Sequence, residues 1–89
     1  MKEEIDKEEF KTSDLSLAGF LLAKGSELSR IENSSKKKKF IFSNNPELKN
    51  WVNAYVFGKE NNPEVLIDAR RLFRASKELK SKLFSIEYE

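Results

Sequence analysis

Three observations predict an α+β fold in which helices pack on a small antiparallel sheet. Segments 28–33 and 38–43 are strand-length and enclose a polar turn of Asn33, Ser34, Ser35 and lysines, the pattern of a hairpin. Behind Asn45-Pro46, Leu48, Trp51, Val52, Tyr55 and Val56 recur at i, i+3, i+4, i+7 and i+8, which is one face of a helix. The stretch Leu15 to Ala23 is apolar on most sides, as suits a helix enclosed by other elements. The predicted order is helix, two-stranded antiparallel hairpin, helix, helix. The alternating tail Phe84, Ile86, Tyr88 is available as a short C-terminal third strand.

Each element has its own boundary signals. Residues 1–9 are charged, with little beyond Ile5 to bury, and read as a flexible acidic arm. Phe10 opens the ordered domain, placed at 10–84, and 85–89 form a tail. Thr12 and Ser13 are the N-cap candidates for the first helix, Asp14 complements its dipole, and Gly25 is the stop. Gly19, next to Ala18, lowers helix propensity by about 1 kcal/mol relative to Ala and is expected where another element comes close. In the hairpin, Phe40 and Phe42 share the core face, leaving Ile41 half-exposed on the other. If Ile31 lies opposite Phe40, Glu32 faces Lys39 in an opposite-charge pair and Arg30 faces Ile41.

Asn45 is the expected cap of the middle helix, with Pro46 at its first position and Gly58 at its end. Trp51 is expected to be buried between the first helix and the Phe40/Phe42 face. After a polar loop, Val65 to Ile67 read as extended and buried. Asp68 caps the last helix, whose inner side is assigned to Leu72, Phe73, Ser76, Leu79 and Leu83. Glu78 and Lys82 form an i,i+4 pair on it.

Composition narrows the functional classes. Eighty-nine residues make one core, and 38% hydrophobic with 36% charged residues suits a soluble globular domain. No apolar run reaches the roughly 20 residues of a membrane span, and the acidic start is unlike an export signal, so a cytoplasmic protein without membrane contact is expected. With no cysteine and no histidine, the chain lacks the common nucleophile, base and transition-metal ligand. A non-enzymatic protein with no cofactor and no metal is expected. The carboxylates Glu3, Glu4, Glu8 and Glu9 sit in an arm with nothing to fix ligand geometry.

Charge is the best functional lead. Residues 1–9 hold five acids against two lysines, and Glu87 and Glu89 close the chain, so the overall +2 conceals +7 over residues 10–86. Lys36, Lys37, Lys38 and Lys39 form one basic block beside Phe40-Ile41-Phe42. The last helix adds Arg70, Arg71, Arg74, Lys77, Lys80 and Lys82, with Arg70, Arg74 and Lys77 in a line about 10 Å long. If the fold brings block and helix to one side, Lys36 to Lys39, Arg70, Arg74 and Lys77 make a phosphate-tracking surface for nucleic acid. The competing explanation is a solvated helix face and a solvated turn. A second class is a protein interface, with another protein or a second copy, at Ile41 on an open hairpin edge and at Phe57, on the outer face with Asn50 and Asn53.

Phe10-Lys11-Thr12-Ser13-Asp14-Leu15 with Ala18, Leu21 and Leu22, then Phe40-Ile41-Phe42, Tyr55 before Gly58, and Asp68-Ala69-Arg70-Arg71-Leu72 with Leu79-Lys80 carry a resemblance. Over Phe10 to Leu83 the chain resembles a family of short bacterial and phage-associated proteins known only as a domain of unknown function. The resemblance implies no activity and no site. The lysine block and the tail are not assumed to be shared with it.

Overall fold

The computed structural model describes residues 9–33 and 37–87. Residues 1–8 of the arm expected at 1–9, the turn residues 34–36 and the last two residues lie outside the described part. Along the chain run β1 (Glu9–Thr12), α1 (Leu15–Lys24), β2 (Leu28–Asn33), β3 (Lys38–Ser43), α2 (Leu48–Phe57) and α3 (Ala69–Glu87). The fold is α+β, with a three-stranded antiparallel sheet in the order β1-β3-β2.

The third strand comes from the front of the chain, not from the tail. Phe84 to Glu87 continue α3, whereas Glu9, Phe10, Lys11 and Thr12 pair with Ser43, Phe42, Ile41 and Phe40. Glu9, expected in the flexible arm, therefore belongs to the sheet. The hairpin register is the predicted one: Ile31 lies opposite Phe40, Arg30 opposite Ile41 and Glu32 opposite Lys39. An irregularity between Leu28 and Arg30 inserts Ser29. Without it, the period of two would send Leu28 and Ile31 to opposite faces; with it, both pack on the core.

The helices cover the face that carries Phe40 and Phe42. Leu17, Ala18, Phe20, Leu21, Leu48 and Leu79 join these two rings in one buried cluster. Asp14, not Thr12 or Ser13, caps α1: its Oδ1 accepts the Ser16 and Leu17 N–H groups at 2.9 and 3.2 Å. Thr12 instead accepts the Asp14 N–H through Oγ1 at 3.0 Å. Gly25 ends the helix in the left-handed region at φ 113°, where a Cβ would be strained, and its N–H and that of Ser26 bond to Leu22 and Leu21. Asn45 does not cap α2 as expected, nor is Pro46 its first position. Asn45 Oδ1 instead accepts the Glu47 N–H at 2.8 Å in a turn that leads in, and the cap position falls on Glu47, whose side chain makes no capping bond.

α1 and α3 cross closely and run antiparallel. A Cβ on Gly19 would stand 3.0 Å from Ser76 Oγ, which is the close approach that the glycine implied. Two assignments in the middle helix and the loop change. Trp51 is half-buried, not enclosed; Lys24 Nζ lies 5.5 Å from its ring centroid and covers its open side. Val65 and Leu66 sit in successive turns, with their N–H groups bonded to Asn62 and Pro63, and Leu66 is exposed where burial was expected.

Candidate functional site

Strand geometry divides the lysine block. Successive residues of β3 point to opposite faces, so Lys38 falls on the Phe40 side and Lys39 on the far side with Ile41. Lys37 and Lys38 line a shallow depression with Ser13, Leu15, Phe40 and Leu83, at the C-terminal end of α3. Arg70 lies thirteen residues earlier on that helix, about 20 Å away along the axis. The fold thus brings Lys37 and Lys38 to the end of the basic helix farthest from Arg70, and it directs Lys39 elsewhere. Lys36 lies outside the described residues.

On the far face of the sheet the charges satisfy one another. Lys11, Ile41 and Arg30 stand side by side across the three strands. Arg30 donates through both terminal nitrogens to Glu9, at 3.0 and 3.3 Å, and through one of them to Glu32 at 3.1 Å. Lys11 approaches Glu32 at 3.9 Å. Arg30 holds the Glu9 carboxyl below the usual carboxylate range, chiefly by these hydrogen bonds, and the two carboxylates raise Arg30 in turn. Glu32 therefore turns to Arg30 and Lys11 rather than to Lys39, its register partner. Ile41, expected to be half-exposed, is 0% exposed among these groups and offers no surface to a partner.

α3 is built differently. Its inner stripe is Leu72, Ala75, Ser76, Leu79 and Leu83, at the spacing of one helix face, with Ala75 and Leu79 buried. Phe73 does not belong to that stripe. It is turned about 100° from Leu72 and is 70% exposed, in contrast with its expected core position. The helical spacing places Arg70, Phe73, Lys77 and Lys80 along one outer flank, and Arg74 between that flank and Glu78. Glu78, at i+4 from Arg74, lines a depression with Arg71, Arg74 and Ala75 and pairs with Lys82 at 3.8 Å.

Asp68 accepts the Arg70 N–H at 2.8 Å and its guanidinium at 3.2 and 3.4 Å, which holds the Asp68 carboxyl below its usual range. Arg70 is thereby committed to the helix cap. Among the described residues, Arg74, Lys77 and Lys80 enter no ion pair. The outer flank of α3 accordingly presents Lys77 and Lys80 without an ion pair among the described residues.

Exposed apolar groups collect at the end of α2. Phe57 is 80% exposed and Val56 is also open. Tyr55 is anchored by its ring, 5.0 Å from that of Phe20. Lys49 is the one charged residue in α2. Among the described residues, no group of three or more carboxylates gathers to hold a metal ion, and no helix is long and apolar enough to cross a membrane.

No curated protein and no solved structure matches the chain. The model of one family does match, over residues 7–85, and it embraces every described strand and nearly all of the described helices. The protein belongs to that family, described as Domain of unknown function (DUF5659).

Proposed function

We propose that this protein is a small non-enzymatic binding module that holds nucleic acid by its phosphates along the outer flank of α3. The observation that carries the reading is the contrast between the two charged surfaces. Glu9, Glu32, Lys11 and Arg30 neutralise one another on the sheet, whereas Lys77 and Lys80, among the described residues, stand on the outer flank of α3 without an ion pair. Cations held in a row and left unpaired attract a polyanion, and their fixed spacing favours a charge-bearing backbone over isolated anions. Lys37 and Lys38 prolong the surface at the Leu83 end. A bacterial or phage-associated role in the cytoplasm is part of the same reading.

Fluorescence anisotropy against salt tests it. Four phosphate contacts give a log–log slope of about −4 on duplex or about −3 on single strands. Arg74→Glu with Lys77→Glu should abolish binding at low salt. Absence of binding by the unaltered protein at low salt would refute the reading.

Phe57 favours a second reading, a protein interface formed by a second copy. With Lys49 as its sole charge, α2 meets its own copy with little like-charge repulsion. Sedimentation at rising concentration decides this: a dimer that Phe57→Lys dissociates supports it, and a strict monomer removes it.

A further inference from the structure

Resting on the reading that α3 meets nucleic acid, we infer that its ligand is single-stranded, with Phe73 as the platform on which an unpaired base stacks. The inner stripe of α3 is complete without Phe73, so packing does not account for a ring that is 70% exposed. A single exposed apolar side chain is ordinary in itself. The surroundings of this one are not. Lys77 lies at i+4 from it and Lys80 at i+7, with Arg70, bonded to Asp68, at i−3, and the helix's Glu78 on the other side beside Arg74. An aromatic face bordered by cations is the composition of sequence-tolerant single-strand sites, where the ring takes a base and the cations take the adjoining phosphates.

A duplex does not present base faces to such a ring. Engaging one would require Phe73 to wedge a base step apart, yet the helix bearing it is seated on α1 through the Gly19–Ser76 crossing and buried Leu79. The flank also lacks Asn and Gln, the side chains that read adenine edges in a groove. An anionic lipid surface fits less well again. The next exposed ring on this flank, Phe84, is about 16 Å along the helix, and Lys77 and Lys80 interrupt the apolar face a bilayer would need.

The experiment compares labelled oligothymidine, oligouridine and a mixed-sequence duplex by anisotropy. Vesicles of phosphatidylserine and phosphatidylcholine form a further arm. Both single strands should bind more tightly than the duplex. Phe73→Ala and Phe73→Leu should each weaken single-strand binding by about five- to 150-fold, the equivalent of one stacked base, with the salt slope unchanged. Phe73→Tyr should retain affinity. Lys77→Ala should instead make the salt slope shallower by about 0.7. Circular dichroism should show all four variants folded, since neither side chain is in the core.

Stronger binding to duplex, or full affinity in Phe73→Leu, would overturn this inference and leave the phosphate reading standing. Failure of every nucleic acid to bind would overturn both. Vesicle binding that depends on Phe73, with no binding to either single strand, would overturn both in favour of a lipid surface.

Discussion

Arg30 and Glu9 form a forked ion pair that joins the two outer strands across β3, at the level of buried Ile41. The forked geometry holds two strands in register that share no backbone hydrogen bond. It also makes the sheet sensitive to acid. The Glu9 carboxyl is depressed below its ordinary value of 4.5 in the folded protein, so the unfolded chain binds the proton more readily. The stabilisation is whole above that ordinary value and is lost as pH falls through the lowered folded one. Arg30, shifted upward, stays charged throughout. Urea midpoints measured from pH 6 to pH 3 should therefore fall more steeply for the unaltered protein than for Arg30→Gln, where the linkage to Glu9 is gone. Parallel curves would contradict it.

Ile41 is the residue beneath that lattice, and its fully buried side chain should be intolerant of truncation. Ile41→Ala is expected to lower stability by about 2–5 kcal/mol in chemical denaturation. Ile41→Lys should prevent folding, since it would bury an unpaired charge between Arg30 and Lys11.

Gly19 sets how closely α1 and α3 approach. Gly19→Val should destabilise by about 1–3 kcal/mol, because a branched side chain at the crossing has nowhere to go. Gly19→Ala should stay within about 1 kcal/mol of the unaltered protein, the gain in helix propensity offsetting the contact with the Ser76 hydroxyl. Combining Gly19→Ala with Ser76→Ala should be more stable than Gly19→Ala alone. A melting series of these variants distinguishes a tight crossing from a loose one.

Among aromatic truncations, Phe42→Ala should be the severe one, at about 3–5 kcal/mol, since Phe42 is wholly enclosed in the shared cluster. Half-buried Trp51 should lose about 2 kcal/mol as alanine, part of it the contact with Lys24. Equal thermal shifts for the two would argue against this division of the core.

The sequence was most legible where the determinant is local. The spacing from Leu48 to Val56, the Asp68 cap, the stop at Gly25 and the hairpin register all follow from residues within a few positions of one another. β1 escaped because its four residues alternate Glu9, Phe10, Lys11 and Thr12, too short a pattern to stand out from a charged leader, and its partner lies far along the chain. Ile41 was assigned to the correct face, but its burial depends on Lys11 and Glu9 arriving with that unseen strand. Phe73 was within reach: the spacing of Leu72, Leu79 and Leu83 already defines a stripe that excludes it. The division of the lysine block was also implicit in the period of β3, once Lys38 and Lys39 are read as strand residues rather than as a turn.

The position of β1 has a consequence for how the chain acquires its structure. β2 and β3 are neighbours and can close as a hairpin in microseconds, whereas Glu9 must wait for Ser43, its register partner, with a whole helix and a strand between them. The sheet thus combines a low-contact-order half with a high-contact-order edge, and the edge should be the last part to form. On a ribosome working at ~5–20 residues per second, the first strand emerges seconds before the one it needs. During that interval its own acidic and basic side chains keep it solvated.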